Sequence, residues 1–384
     1  VRSFVRRGSV AAATALTLLF VAGSAAGASS DDVPQPTADA VTRVAGTDRI
    51  GTAIAASQAQ QPAPVAPGTG TVILSRSDDF ADTLTAVPLA DELDALILTT
   101  PSGADLDPRV AAEVQRLAPA HVVVVGGAGA VSTAAEASLK AVVPGQGAVV
   151  RISGVDRYDT AAQLARWTIT SRGQSAPTEP RDMHTMWPID EANERRNTPV
   201  FLATGLDYPD ALAAGAAAAQ TNGVVLLTRG DQFDDHTGFG GPKQRSYTLN
   251  FMVDEEGGRI TGPVHTVGGP AMRATSGNYT SLVGADRYET AALVARYAGW
   301  FPAADTHTVA IASGEDYADA VVAAGFIANQ DGPLLLTRAA SLSAVTANYL
   351  ASVSSAETAT QVHLFGGTGA VSGDVATAIR RALR

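Results

Sequence analysis

The chain alternates short apolar runs with amphipathic segments of about ten residues. In its first third, the apolar runs 41–44, 71–75, 96–99 and 122–125 predict buried β-strands, and segments 109–117 and 133–142 predict helices. Asp48, Asp107 and Ser132 stand at N-cap positions, and Pro108 suits a first helical turn. Strands of this length alternating with helices predict βαβ crossovers, and therefore an α/β fold with a doubly wound parallel sheet.

The same pattern occurs three times. RVAGTDRIGTA from Arg43 returns as RISGVDRYDTA from Arg151 and as LVGADRYETA from Leu282. Each copy continues with an acidic segment (SRSDDFADTL, ATGLDYPDAL, ASGEDYADAV), a strand ending in threonine, and a strand that runs into a glycine pair. Four landmarks in one order predict three copies of one structural unit.

Three α/β modules are therefore expected, at 41–148, 149–279 and 280–384. The second carries insertions near 172–197 and 229–262. Within the latter, alternating apolar residues at 247–253 predict a β-hairpin. The short distance from Gly269 to Asp286 predicts that the last helix of this module is short or lost.

The amino terminus has the three-part pattern of a secretory signal peptide. Arg2, Arg6 and Arg7 precede an apolar run at 10–22, and small residues at 26–28 predict cleavage after Ala28. A polar spacer at 29–40 follows. We expect a secreted protein with no membrane span after removal of the signal, and it contains no cysteine for disulfides.

Charge excludes one class of partner. Loss of the three signal-peptide arginines lowers the formal net charge from −11 to −14. Nucleic-acid binding needs clustered Lys and Arg to neutralise phosphates, so we expect no nucleic-acid partner.

The triple motif resembles the cell wall-binding repeat type 2 family of Gram-positive bacteria. The resemblance covers residues 41–384 and implies three Rossmann- or flavodoxin-like modules packed about a pseudo-threefold axis. It also implies noncovalent attachment at the cell wall or cell surface to an anionic polymer, either teichoic-acid-like or a secondary wall polysaccharide, by a monomer. The family's arginine falls on Arg49, Arg157 and Arg287, and its Ile-Leu-Leu element on 96–98, 225–227 and 334–336.

An anionic polymer must be held locally against the net negative charge, by arginines and by backbone N–H groups at strand ends and helix N-termini. The candidate ligand-binding residues are of four kinds, and each kind occurs once in every repeat. They are Arg49, Arg157 and Arg287; Asp48, Asp156 and Asp286; the glycine pairs Gly126, Gly127, Gly268, Gly269, Gly366 and Gly367; and Thr99, Thr228 and Thr337. Two structural alternatives stay open: the Asp-Arg pairs as helix caps with ion pairs between modules, and the glycine pairs as tight turns.

Catalytic readings have less support. Asp82, Asp210 and Asp319, each three residues after another aspartate, resemble paired catalytic carboxylates, but threefold repetition favours a structural role such as charging a helix N-terminus. Zinc-type histidine spacing, a G-x-S-x-G elbow and a G-x-G-x-x-G loop are missing. We therefore predict a non-enzymatic binding protein without a metal or cofactor. The alternative is an exported hydrolase or sensor with its activity in the insertions of repeat 2 and the repeats as its anchor.

Overall fold

A computed structural model describes residues 40–63, 66–143, 148–172, 197–233, 246–252, 261–275, 279–299, 308–354 and 360–384. The predicted signal peptide, nearly all of the spacer and most of the repeat 2 insertions lie outside these ranges.

Within the described residues the strands form three parallel four-stranded sheets. Sheet I has the order β3-β2-β4-β5, sheet II β7-β6-β8-β9, and sheet III β1-β12-β10-β11. The strands are β1 Val41–Val44, β2 Thr71–Arg76, β3 Leu96–Thr100, β4 His121–Val125, β5 Ala148–Ile152, β6 Val200–Thr204, β7 Val224–Thr228, β8 Val264–Val267, β9 Thr280–Leu282, β10 Thr308–Ser313, β11 Leu334–Thr337 and β12 Gln361–Phe365.

Helices connect these strands. They are α1 Arg49–Gln60, α2 Ala81–Glu92, α3 Pro108–Leu117, α4 Thr133–Val142, α5 Arg157–Thr170, α6 Leu212–Gln220, α7 Tyr247–Met252, α8 Gly269–Ala274, α9 Arg287–Tyr297, α10 Ala318–Ala328, α11 Ala344–Val353 and α12 Gly373–Ala382.

The sequence repeat and the sheet are out of phase by one strand. β5 and β9 each open a sequence repeat, yet each completes the sheet of the repeat before it. β1 pairs with β12, with Val41 opposite Val362, so the first and the last strand lie side by side in sheet III. Helices α1, α5 and α9 therefore pass from one sheet to the next, and the first helix joins the last sheet to the first.

Each sheet has two buried faces, as a doubly wound fold requires. In sheet I, Ile73 and Val123 face the large central core, whereas Val72, Leu74 and Val122 face an outer core with α3 and α4. Alternate residues of one strand thus enter different cores because side chains alternate across a strand.

The three modules meet through α2, α6 and α10, which pack on one another around the pseudo-threefold axis. These helices are buried almost all round and rich in alanine, which permits close approach. At Gly325, a Cβ atom would lie 2.4 Å from the Cδ1 of Ile97 in sheet I. The predicted α/β architecture of three modules about a pseudo-threefold axis is confirmed.

The predicted hairpin at 247–253 is wrong. Tyr247–Met252 is a helix, and Thr248, Phe251 and Met252 are buried at helical spacing. The Ser246 hydroxyl accepts a hydrogen bond from the N–H of Leu249, which caps the first turn, so the apolar alternation was not that of a strand. The last helix of the second module is short, as predicted, with six residues in Gly269–Ala274.

Candidate functional site

An aromatic triangle lies where the three modules meet. Phe80, Tyr208 and Tyr317 occupy the same place in the three acidic segments, just before the central helices or one turn ahead of them. Their ring centroids are 6.0 Å, 6.1 Å and 5.6 Å apart, in edge or tilted orientations. Such orientations are favourable for aromatic pairs, so the triangle joins the three modules at the pseudo-threefold axis.

The three motif arginines surround this triangle. The guanidinium of Arg49 lies 5.7 Å from the ring of Tyr317, that of Arg157 5.9 Å from Phe80, and that of Arg287 5.8 Å from Tyr208. The ring beside each arginine belongs to the sheet that its helix leaves.

Each arginine also contacts the sheet that its helix enters. Through Nη1, Arg49 donates to the carbonyl of Ser77 at 2.9 Å, Arg157 to Gly205 at 2.7 Å, and Arg287 to Gly314. Every arginine therefore links two neighbouring sheets by a hydrogen bond and a cation–π contact. We call these places the first, second and third junctions.

The junctions differ in their remaining polar contacts. Arg49 also donates to the hydroxyl of Tyr317 at 3.2 Å, and Arg157 pairs with Asp79 at 3.0 Å. The ion pair between modules that the structural alternative called for is therefore formed by Arg157, whereas Arg49 and Arg287 contact carbonyl oxygens and aromatic rings. The contact of the three arginines with a ligand stays a prediction.

The three candidate ligand-binding aspartates before the arginines are N-caps, which was the structural alternative for them, and their contact with a ligand stays a prediction. Asp48 accepts from the N–H of Gly51 at 2.7 Å, and Asp156 and Asp286 each accept from two amides in the first turns of α5 and α9. The hydrogen bonds from Arg109 lower the pKa of Asp48 below its ordinary value. These carboxylates stabilise the helix starts that carry the arginines.

The glycine pairs form turns at the ends of β4, β8 and β12. Gly126, Gly268 and Gly366 have φ values of +97°, +82° and +97°, which favour glycine. Their N–H groups donate to carbonyls of the neighbouring strands, at Ile152, Leu282 and Val44 respectively. These three amides are used internally, whereas the second residues of two pairs, Gly127 and Gly367, adjoin open space.

The repeated acidic residues Asp82, Asp210 and Asp319 lie against these glycines. A Cβ on Gly126 would fall 2.6 Å from the Oδ2 of Asp82, and Gly268 and Gly366 approach Asp210 and Asp319 still more closely. Burial raises the pKa of all three, that of Asp82 to about 6. Hydroxyl groups of Thr290 and Thr52 stabilise the charged forms of Asp210 and Asp319.

The three candidate threonines are buried in the sheets. Strand register aligns Thr228 opposite Thr204 and Thr337 opposite Ser313, whereas the corresponding residue of β2, Arg76, lies opposite Thr100. Thr100, not Thr99, is therefore the structural equivalent in the first module. The doubled threonine in the sequence hid this one-residue offset.

The structure also brings in residues that were not predicted as site residues. The aromatic triangle comes from the Phe or Tyr of the D-[FY]-x-D motif that the three acidic segments share as DFAD, DYPD and DYAD. The sequence repeat therefore contained the signal for these residues. No group of three or more His, Cys, Asp and Glu side chains suited to a metal occurs in the described ranges. In the same ranges, no helix has both the length and the apolar character needed to cross a membrane.

A family model, Cell wall binding domain 2 (CWB2), matches residues 43–136, 151–272 and 282–376. The chain belongs to the CWB2 family. The resemblance inferred from the triple motif is confirmed.

Two curated relatives from Bacillus subtilis (strain 168) are similar over longer proteins. An amidase enhancer is 26% identical over 301 residues, covering 77% of this chain and 34% of the relative. The N-acetylmuramoyl-L-alanine amidase LytC is 25% identical over 353 residues, covering 91% and 60%. The chain thus spans less than two thirds of either relative.

Two solved structures from Clostridium difficile share the fold of this chain. Cwp6 superposes with a TM-score of 0.67 at 24% identity, covering 89% of this chain and 48% of that one. Cwp8 gives 0.65 at 20% identity, covering 89% and 51%. At these identities the likeness shows the fold.

Proposed function

We propose that this chain is a secreted, non-catalytic module that attaches noncovalently to an anionic polymer of the cell wall. The observation that carries the proposal is the match of three CWB2 repeats to most of the chain. The names of the curated relatives, an amidase and an amidase enhancer, support a setting at the cell wall. The proposed location is the wall or cell surface.

The junctions supply local positive charge for such a ligand. Arg157 keeps 34% of its side chain exposed, although it pairs with Asp79. Repetition of one arginine around an axis also suits a polymer, because several weak contacts to one chain add through effective concentration.

Cosedimentation tests this function. The chain lacking residues 1–28 is mixed with purified Gram-positive walls before and after chemical removal of their secondary polymers. We expect binding to intact walls and its loss after stripping. Equal binding to stripped walls would contradict the polymer as ligand, and no binding to intact walls would contradict attachment.

The motif arginines are tested by the triple substitution Arg49→Ala, Arg157→Ala and Arg287→Ala. We expect weaker wall binding with a shallower dependence on salt, because fewer charges are neutralised on the polymer. Arg381→Ala, on the exposed surface of α12, is the charge control. Unchanged binding by a folded triple variant would assign the arginines a purely structural role.

An exported hydrolase or sensor with activity in the repeat 2 insertions remains the alternative hypothesis. Residues 173–196 lie outside the described ranges, and no observation favours this function. Deleting them and measuring both wall binding and wall degradation separates the two. Loss of degradation with retained binding would support the alternative.

A further inference from the structure

The first and third junctions differ where two helices begin side by side. At the first junction, Arg109 is the second residue of α3 and reaches across to Asp48, the N-cap of α1. The two hydrogen bonds to Asp48 measure 3.1 Å and 3.0 Å, and the same guanidinium pairs with Asp107 at 2.8 Å. This bridge closes the gap between the two helix starts.

Val345 takes the place of Arg109 at the third junction, as the second residue of α11. Ser343 replaces the capping Asp107. A valine cannot reach the carboxylate of Asp286, so the gap stays open as a cleft of about 370 Å³. Asp286, Tyr288 and Glu289 line it from the start of α9, and Arg338 and Leu342 line it from the segment between β11 and α11.

Arg338 enters this cleft from the end of β11. Its guanidinium lies 4.9 Å from the ring centroid of Tyr288. Within the described part of the chain it forms no hydrogen bond and no ion pair. The first junction has Pro101 and Ile50 at the equivalent positions, so this stacked arginine has no counterpart there.

The cleft also offers hydrogen-bond acceptors and an apolar wall. Oδ1 of Asp286 accepts two helix amides and Oε2 of Glu289 accepts the N–H of Ala285, which leaves the second oxygen of each carboxylate for other donors. Leu342 and Val345 provide apolar surface. A cation, two acceptors and an apolar wall suit a sugar ring that bears one anionic group.

We propose that the third-junction cleft binds one acidic sugar unit, phosphorylated or carboxylated, of the wall polymer. The anionic group meets Arg338, and sugar hydroxyls donate to Asp286 and Glu289. The two carboxylates repel an anion that brings no hydroxyl donors, so they select an acidic sugar over a bare anion. This inference rests on the proposed function and specifies its ligand class and position.

Titration calorimetry of the purified chain with glucose 1-phosphate, glucose and inorganic phosphate tests the cleft. We expect glucose 1-phosphate to bind more tightly than either of the others. Arg338→Ala should weaken it by about tenfold or more, the effect of losing charge-assisted hydrogen bonds. Arg381→Ala should bind as the unchanged chain does.

Val345→Arg provides a second, independent variant. It rebuilds the bridge of the first junction toward Asp286 and should remove glucose 1-phosphate binding without unfolding the chain, as checked by circular dichroism. The proposed binding site would be overturned if the unchanged chain did not bind glucose 1-phosphate. It would also be overturned if folded Arg338→Ala bound this sugar phosphate as tightly as the unchanged chain. Inorganic phosphate that binds as tightly as the sugar phosphate would also overturn it.

The two proposals fail in different ways. If the chain cosediments with intact walls but does not bind glucose 1-phosphate, the proposed function stands and the proposed sugar site is contradicted. If the chain binds glucose 1-phosphate through Arg338 but does not cosediment with walls, the proposed sugar site stands and wall attachment is contradicted.

Discussion

The first and third junctions are built from one motif but end in different surfaces. Both place an arginine beside an aromatic ring and against a neighbouring carbonyl. At the helix starts beside them, one junction is closed by Arg109 and the other is open at Val345. Repetition therefore preserves the contacts that hold modules together, while positions outside the motif decide whether the gap between two helix starts is bridged or open.

The largest expected effect tests whether the glycine turns beside the first and second junctions are built alike. Gly366 donates to Val44, just before the helix of Arg49, and Gly126 donates to Ile152, just before the helix of Arg157. Gly126→Ala and Gly366→Ala each add a Cβ at a φ of +97° and within 2.6 Å of Asp82 or 2.4 Å of Asp319. Strain and overlap should lower the free energy of unfolding by about 3 kcal/mol or more in each variant. Urea denaturation measures both.

Gly367→Ala is the matched control, because a Cβ there meets open space. A large loss at Gly366 with none at Gly126 would show that the two turns are not equivalent.

The pH dependence of stability should separate the second junction, where Asp82 lies near Arg157, from the first junction, where Asp319 interacts with Thr52. The folded-state pKa of Asp82, about 6, lies above the ordinary value of 3.8. Its contribution to stability is therefore present below pH 3.8 and is lost as the pH rises through 6. Removing the buried charge with Asp82→Asn should raise the free energy of unfolding at pH 7 by about 1–3 kcal/mol.

Asp319→Asn is the comparison variant. The hydroxyl of Thr52 already stabilises the charged form of Asp319, so we expect a smaller gain. Urea denaturation between pH 4 and pH 8 should show the pH dependence flattened most in Asp82→Asn. Identical gains in the two variants would contradict the difference between these sites.

Exchange of the bridging residue gives the smallest effect on stability. Arg109→Val removes an exposed ion-pair network, so we expect a slightly lower melting temperature at low salt and no difference at high salt. It should not create glucose 1-phosphate binding, because Ile50 and Pro101 replace the stacked tyrosine and arginine. Thermal unfolding and calorimetry measure the two outcomes, and new binding by this variant would contradict the role of Arg338.

Much of the architecture followed from local pattern. Strand Val41–Val44 and helix Thr133–Val142 were predicted with their observed bounds, and the N-caps Asp48, Asp107 and Ser132 all accept the expected hydrogen bonds. The spacing of apolar residues and the capping of helices depend on a few neighbouring residues, so a single sequence is enough to predict these elements.

The remainder depends on contacts between distant segments. Nothing local to Val41 indicates pairing with Val362, and the D-[FY]-x-D motif does not reveal that its rings meet. The cleft was missed because Arg109 and Val345 become equivalent only when α3 and α11 are aligned in space. The error at Tyr247–Met252 arose instead from local sequence. The alternating apolar residues suggested a strand, whereas the Ser246 cap starts a helix there.

Titration of released wall polymer into the purified chain, at low and at high ionic strength, tests wall-polymer binding most directly. Electrostatic attachment predicts saturable binding that weakens as salt rises, because screening shortens the reach of the arginines. Absence of binding at low salt, or an affinity unchanged by salt, would contradict attachment to an anionic polymer.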